Sequence, residues 1–338
     1  MIGTVPHKGF SSAWAGAVAR LLRRVSLGLL TVVLVVIANF LLLKLAPGDL
    51  AMAMAGDAGA ASPEYMAMLR QQYGLDQPLW VQFWHYVANM AHFDFGYSFR
   101  NSLPVLDLIL DRLPATLVLV GTSISIALVI GVTLGTWAAY RQGRWVDTAI
   151  SIVSTVGFAI PLFWVGLLLI ILFAVQWRWL PSGGYATTGL ESGVWLAIVD
   201  RARHLVLPGV TLSLFYIAIY ARIVRTSVAE VLHAEYIRTA RAKGLRPRRV
   251  LWRHVLRNSL LPLVTITGLE LGTLLGGVVT TETVFSWPGM GRLVYDAVLY
   301  RDMNLLMGIL FWSALLIVTT NLLLDLLYGL IDPRVRTR

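Results

Sequence analysis

"EYIRTARAKGLRPRRV", Glu235 to Val250, sets six Lys/Arg against one Glu in sixteen residues, around a single glycine. Its surroundings decide the fold. Upstream, Arg203 to Arg222 encloses 18 residues with no full charge; downstream, Arg257 to Glu282 encloses 24, interrupted only by Glu270. A bilayer core of about 30 Å needs roughly 20 helical residues at 1.5 Å rise, so the basic stretch joins two candidate membrane spans. Four further runs repeat the pattern: 19 residues between Arg24 and Lys44, 28 between Arg112 and Arg141, 30 between Asp147 and Arg178, and 22 between Asp302 and Asp325. The longer runs fit by tilt or interfacial ends. The fold predicted is all-α, a polytopic membrane bundle of six helices at about 25–43, 115–139, 149–175, 205–221, 262–281 and 304–327. Six spans place both termini on one side.

Composition agrees. Of the 338 residues 57% are apolar and 14% charged, well under the usual quarter of a soluble domain. Absence of cysteine rules out disulfides and thiolate metal sites. The first span could imitate a leader, because basic residues precede it and "AMAMAG" follows Leu50. Its 19 uncharged residues exceed the usual 7–15 of a cleaved segment, which favours an uncleaved anchor.

The net charge of +10 acquires meaning from its placement. The N-terminus, the Arg141–Arg144 turn, the Arg222–Arg257 connection and the tail hold 19 Lys/Arg, whereas the short loops opposite hold five. The positive-inside rule therefore predicts cytoplasmic termini. Residues 1–24 become a cytoplasmic segment, 25–338 the membrane domain, 44–112 an external loop and 222–257 a cytoplasmic one. In the external loop "SPEYMAMLRQQYGL" has a Ser62–Pro63 helix start with Met66, Met68, Leu69 and Tyr73 as an apolar side. The aromatic "WVQFWHYV" from Trp80 suits a helix at the headgroup level. A small external subdomain is expected, with no repeat or linker dividing the chain.

Missing motifs narrow the chemistry. There is no Gly-Lys pair and hence no phosphate-cradling P-loop, no H-E-x-x-H and no G-x-S-x-G, and the six histidines lie in connections or at span ends. Metal: none; catalytic residues: none. Ion-coupled carriers keep several ionisable groups at membrane depth, but here only Glu270 is mid-span, with Asp325 near the end of the last span. Glu270 either meets a polar group on another helix or lines a solute pathway. Both readings stand at this stage.

Within the basic connection, Tyr236, Thr239, Ala240 and Lys243 share one helical face by i, i+3, i+4, i+7 spacing. The small residues Ala240, Ala242 and Gly244 let another protein's surface come close. Gly244 also suits a helix C-terminus, and Pro247 starts a new segment. Anionic lipid would account for charge alone, at about 1 kcal/mol per basic residue. Nucleic acid would want interleaved aromatics, of which Tyr236 and Trp252 are the ones present. Docking into a cytoplasmic partner uses the charge, the small face and the glycine together, and predicts a positive φ at Gly244.

"EYIRTARAKGL" followed by "RHVLRNSLLP" resembles the cytoplasmic loop of binding-protein-dependent ABC importer permeases, in the branch importing dipeptides, oligopeptides, glutathione or nickel. "APGDLA", "YGLDQPLWVQFWHYV", "FDFGYSF", "RLPATLVL", "ETVFSWPGMGRLVYDAVLYRD" and "DLLYGLIDPRVR" extend the likeness in order over most of the chain. The resemblance implies that Glu235, Tyr236, Thr239, Ala240, Arg241, Ala242, Lys243, Gly244 and Leu245 form a coupling helix in a cleft of an ATPase subunit. Arg238 stands where the broader pattern has Glu, and Arg257 where it has Pro. It implies further that Trp287, Pro288, Arg292, Arg301 and Asp302 meet an extracytoplasmic solute-binding protein. The implied partners are a second homologous permease subunit, two ATP-binding subunits, that binding protein and membrane lipid, with no nucleic acid. The implied role is a peptide permease in a bacterial or archaeal plasma membrane, not an enzyme. It binds no cofactor itself, ATP and Mg belonging to the partners; the alternative solute is nickel, glutathione or another small molecule.

Overall fold

A computed structural model of the chain describes residues 10–45, 63–72, 76–189, 193–275 and 278–331. Helices dominate. In chain order they are α1 (Phe10–Leu45), α2 (Pro63–Gln72), α3 (Leu79–Ala91), α4 (Val105–Tyr140), α5 (Trp145–Ala159), α6 (Leu162–Leu169, extended by a wider-turned segment Ile170–Gln176) and α7 (Val194–Leu232). Then come α8 (Glu235–Ala242), α9 (Pro247–Val250, continued by Leu251–Leu256 and Arg257–Ser259), α10 (Leu261–Leu275), α11 (Val279–Val284), α12 (Met290–Leu299) and α13 (Met303–Ile331). Among the described residues no strand forms beyond a single bridge between Tyr97 and Pro104.

Charge marks where a span leaves hydrocarbon, but it does not end a helix. Among the described residues four helices are long and apolar enough to cross a bilayer: Leu22–Leu45 of α1, α4, α7 and Met303–Leu324 of α13. The expected 205–221 span therefore lies inside a 39-residue helix, and 115–139 inside one of 36. The expected 149–175 span is two pieces, α5 and α6, bent by 99°. Ile160 takes extended backbone before Pro161, as a residue preceding proline prefers, and the helix breaks there. The expected 262–281 span is also interrupted, since α10 stops at Leu275 and α11 is separate. Val278, just ahead of α11, leaves helical backbone at φ −103° and ψ 71°. The expectations on "APGDLA", Ser62, Tyr73 and the tail arginines, and on the side chains of Met66, Leu69 and Asp325, fall outside the described residues.

Two compact units result, one formed by 107–300 and the other by the segments before and after it. In the flanking unit α1 runs along α13, with Gly28 so close to Val318 that an added Cβ would sit 2.7 Å from its Cγ1. Buried Asn39 donates from Nδ2 to the Met307 carbonyl at 3.3 Å. The segment after α3 is held by Phe93, Phe95 and Phe311, whose rings pack 5.5–6.3 Å apart. Asp302 caps α13, accepting the Leu305 N–H at 3.1 Å and the Ser98 hydroxyl at 2.6 Å.

The 107–300 unit has its core where α4, α7, α9 and α10 converge, on Leu119, Ile124, Leu212, Tyr220, Val224, Val228, Val255 and Leu263. Gly131 and Gly135, one turn apart on α4, bring that helix against the backbone of α7. A Cβ on Gly131 would lie 2.7 Å from Tyr220 Cβ, and one on Gly135 2.5 Å from the Ala221 carbonyl oxygen. Small residues at such spacing allow the close helix packing that membranes favour.

Candidate functional site

The basic stretch forms α8, two residues beyond the end of α7. Its eight residues present one narrow buried edge: Ile237 and Ala240, three apart, belong to the same core as Val228 and Val250. Glu235, Tyr236, Arg238, Thr239, Arg241, Ala242 and Lys243 face outward. Ala240 is thus a correction to the docking face read from the sequence. Its methyl is buried within its own subunit, and it roots the helix rather than receiving a partner.

The end of α8 is closed by two backbone bonds, Gly244 N–H to the Arg241 carbonyl at 2.9 Å and Leu245 N–H to the Ala240 carbonyl at 3.3 Å. That pair is the Schellman arrangement, which needs a left-handed residue, and Gly244 has φ +72°. A Cβ there would meet nothing within 4 Å, so the face above the glycine is open. Asn258 of α9 donates to the Tyr236 hydroxyl at 2.9 Å, tying the helix to the approach to α10. The Arg238–Glu235 pair, 3.0 Å and exposed, adds little.

Glu270, on α10, is half-buried beside α7, where the Tyr216 hydroxyl lies 3.4 Å from its Oε2. Tyr216 in turn packs edge-on against Phe215 at 5.3 Å, and Phe215 lines an apolar cavity of about 440 Å³. Ile160 and Leu162 line it from the α5–α6 elbow, Ala218 from α7. Glu270 therefore has a polar neighbour on another helix, and Tyr216 and Phe215 lie between it and this apolar hollow.

The residues expected to meet a binding protein divide. Arg301 is exposed, and Pro288 and Arg292 are half-buried. Trp287 and Asp302 are 1% and 2% exposed, so neither side chain is available to another protein. The Trp287 indole donates to the Ala115 carbonyl at 2.9 Å and its ring meets Tyr185 edge-on at 5.0 Å. Burial of a large aromatic with a satisfied N–H explains the placement better than recognition does.

Sequence reasoning missed a carboxylate nearby. Glu282, fully buried in α11, accepts the Thr116 hydroxyl at 2.7 Å on Oε1 and the Arg292 N–H at 2.9 Å on Oε2. Thr116 accepts the Met290 N–H at 2.8 Å, so one hydroxyl bridges α4, α11 and the start of α12. Burial pushes the Glu282 carboxyl above the usual range, and the bonds from Thr116 and from the Arg292 backbone pull it back. A Cβ on Gly289 would overlap that carboxylate, and one on Gly291 would lie 2.5 Å from the Val279 nitrogen. The signal was a charged residue within "TETVFSWPGMG", read only as the charge that ends a membrane span.

Residues 131–337 match the family described as "Binding-protein-dependent transport system inner membrane component", and 18–120 match its N-terminal counterpart. The chain belongs to this family. It is 42% identical over 316 residues to the "Probable peptide ABC transporter permease protein y4tP" of Sinorhizobium fredii, covering 94% of this chain and 98% of that one. To the "Dipeptide transport system permease protein DppB" of Escherichia coli K12 it is 39% identical over 334 residues, again covering 94% and 98%. The fold matches a chain of the MetNI methionine ABC transporter in an inward-facing conformation, with TM-score 0.53, 18% identity, and coverage of 67% of this permease and 97% of that chain. This permease is accordingly a multi-pass membrane component of a transport system that also has ATP-binding and substrate-binding components.

Proposed function

We propose that this permease carries peptides inward as one of two membrane subunits of an ABC importer, docked on two ATPases and fed by an extracytoplasmic binding protein. The observation that carries the reading is α8: a helix rooted by Ile237 and Ala240, closed at Gly244, and open to a partner over its basic face. The naming of relatives about 40% identical over nearly their whole length as peptide and dipeptide permeases supports the choice of solute. ATP and Mg belong to the partner ATPases, and this chain hydrolyses nothing itself. The basic loop and both termini lie in the cytoplasm of a bacterial or archaeal cell, and α10 completes a sixth crossing.

In the mechanism, closure of the ATPases around ATP draws the docked helices together, α7 moves with α8, and the pathway opens outward to receive peptide. Hydrolysis reverses the movement. Glu270 offers a carboxyl group next to Tyr216, and the apolar hollow lies behind Phe215; together they suit the α-amino group and side chains of a short peptide. Reconstitution of the permeases with their ATPases and binding protein tests the reading with labelled dipeptide. Uptake is expected only with internal ATP and binding protein both present. Uptake by this chain alone, driven by an ion gradient, would replace the importer by a carrier, and ATP-driven uptake of nickel in place of peptide would replace the solute.

A further inference from the structure

Arg225 lies on α7 seven residues before its end, close to the start of α8, and makes a two-point contact with Asp147 in the first turn of α5. Arg225 Nε donates to Oδ1 at 2.5 Å and Nη2 to Oδ2 at 2.9 Å. The Asp147 side chain is 6% exposed and also accepts the Gly143 N–H at 3.0 Å. Gly143 has φ +75°, so the turn between α4 and α5 is shaped to aim that N–H at the carboxylate. The same stretch of α7 is also packed tightly against Gly131 and Gly135 of α4. The α4–α5 hairpin thus clasps α7 just where it leads into α8, and α5 runs from Asp147 to the 99° elbow at Ile160.

We infer that Asp147 and Arg225 are positioning residues that carry displacement of α8 into the broken span, so that docking-helix movement turns the α5–α6 elbow. The inference rests on reading α8 as the docking helix. Apolar contacts through Tyr220, Val224 and Val228 already hold α7 in the core, so holding is not what the pair adds. What it adds is direction: a planar guanidinium on both oxygens of a carboxylate resists sliding and rotation, which greasy contacts do not.

The test compares wild type, Asp147→Asn, Asp147→Glu and Arg225→Lys in the complete reconstituted transporter, reading peptide taken up per ATP hydrolysed. Asp147→Asn should lower that ratio about tenfold, within the range of a coupling between sites. Asp147→Glu, which keeps the charge, should recover most of it. Arg225→Lys, which keeps attraction and loses the fork, should fall between. An unchanged ratio in Asp147→Asn, or a common proportional loss of assembled complex, hydrolysis and uptake, would make the pair merely structural and overturn the inference. Should Asp147→Asn fail to assemble, an unchanged ratio in Arg225→Lys would overturn it equally. A wild-type complex that hydrolyses ATP without moving peptide would instead overturn the functional reading, and the inference with it.

Discussion

The loop before α10 and the segment after it both turn on glycine, for opposite physical reasons. At Gly244 the requirement is a dihedral, φ +72° with open space where a side chain would be. At Gly289 and Gly291 the requirement is room, because a methyl would strike the Glu282 carboxylate or the Val279 backbone. In the first segment six of the eight α8 side chains face outward, because the other two, Ile237 and Ala240, anchor the helix. In the second, a charge, an indole and a threonine hydroxyl are all turned inward. An open turn and a closely packed joint therefore use the same residue, and only the packing tells them apart.

Substituting the glycines puts the contrast at greatest risk. Gly289→Ala should destabilise the isolated complex by about 1–3 kcal/mol or prevent its assembly, as overpacking does. A melting temperature equal to wild type would show that Glu282 can swing away and that the joint is not closed. Gly244→Val should cost about 1–2 kcal/mol of left-handed strain but leave the subunit inserted. Its larger effect is expected on function, with binding-protein-stimulated hydrolysis and uptake falling together about tenfold. Normal stimulation would place the ATPase contact elsewhere.

Smaller effects sharpen the picture. Glu270→Gln should weaken the complex by about 0.6–2 kcal/mol if the Tyr216 contact is what matters, or shift peptide preference at unchanged stability if the carboxylate faces solute. No change in either would leave Glu270 with no part in the site. For Glu282 the sign of the pH effect is fixed by its raised folded-state pKa: its reference value is 4.5, so its contribution to stability is present below that value and lost as pH rises through the folded pKa. Between about pH 5 and pH 8 the melting temperature of Glu282→Gln should fall less than that of wild type. Parallel curves would remove the buried proton from the account. Arg248→Gln and Arg249→Gln, both exposed on α9 beyond Gly244, should stay within about 0.5 kcal/mol of wild type and keep most uptake. If they abolished uptake while Gly244→Val spared it, the loop would be an electrostatic tether.

Much of this was legible in the residues. Uncharged runs located every long helix, since burying charge in hydrocarbon is costly enough to leave a plain mark. Gly244 was readable because a helix terminus has few chemical solutions. The ends of α4 and α7 were not, because a charged residue can continue a helix into water without penalty. Ala240 and Trp287 were assigned outward for a related reason: small and aromatic residues serve interfaces and interiors alike, and sequence spacing gives a face without saying what covers it. Asp147 and Glu282 passed as mere ends of spans, since their partners Arg225 and Thr116 are 78 and 166 residues away.

The unbroken length of α7 has a mechanical meaning. Thirty-nine residues make a rod of about 58 Å, close to twice the hydrocarbon thickness, with α8 starting two residues beyond its end. Pivoted at one end, such a rod turns a tilt of about 5° into roughly 5 Å of travel at the other. Pro208 leaves the His204 carbonyl without its helical partner and so provides a compliant point about 36 Å from the α8 end. On the docking reading proposed above, a lever with its soft spot that far from the driven end would deliver the stroke almost undiminished to the α4–α5 hairpin and spend its bending beyond it.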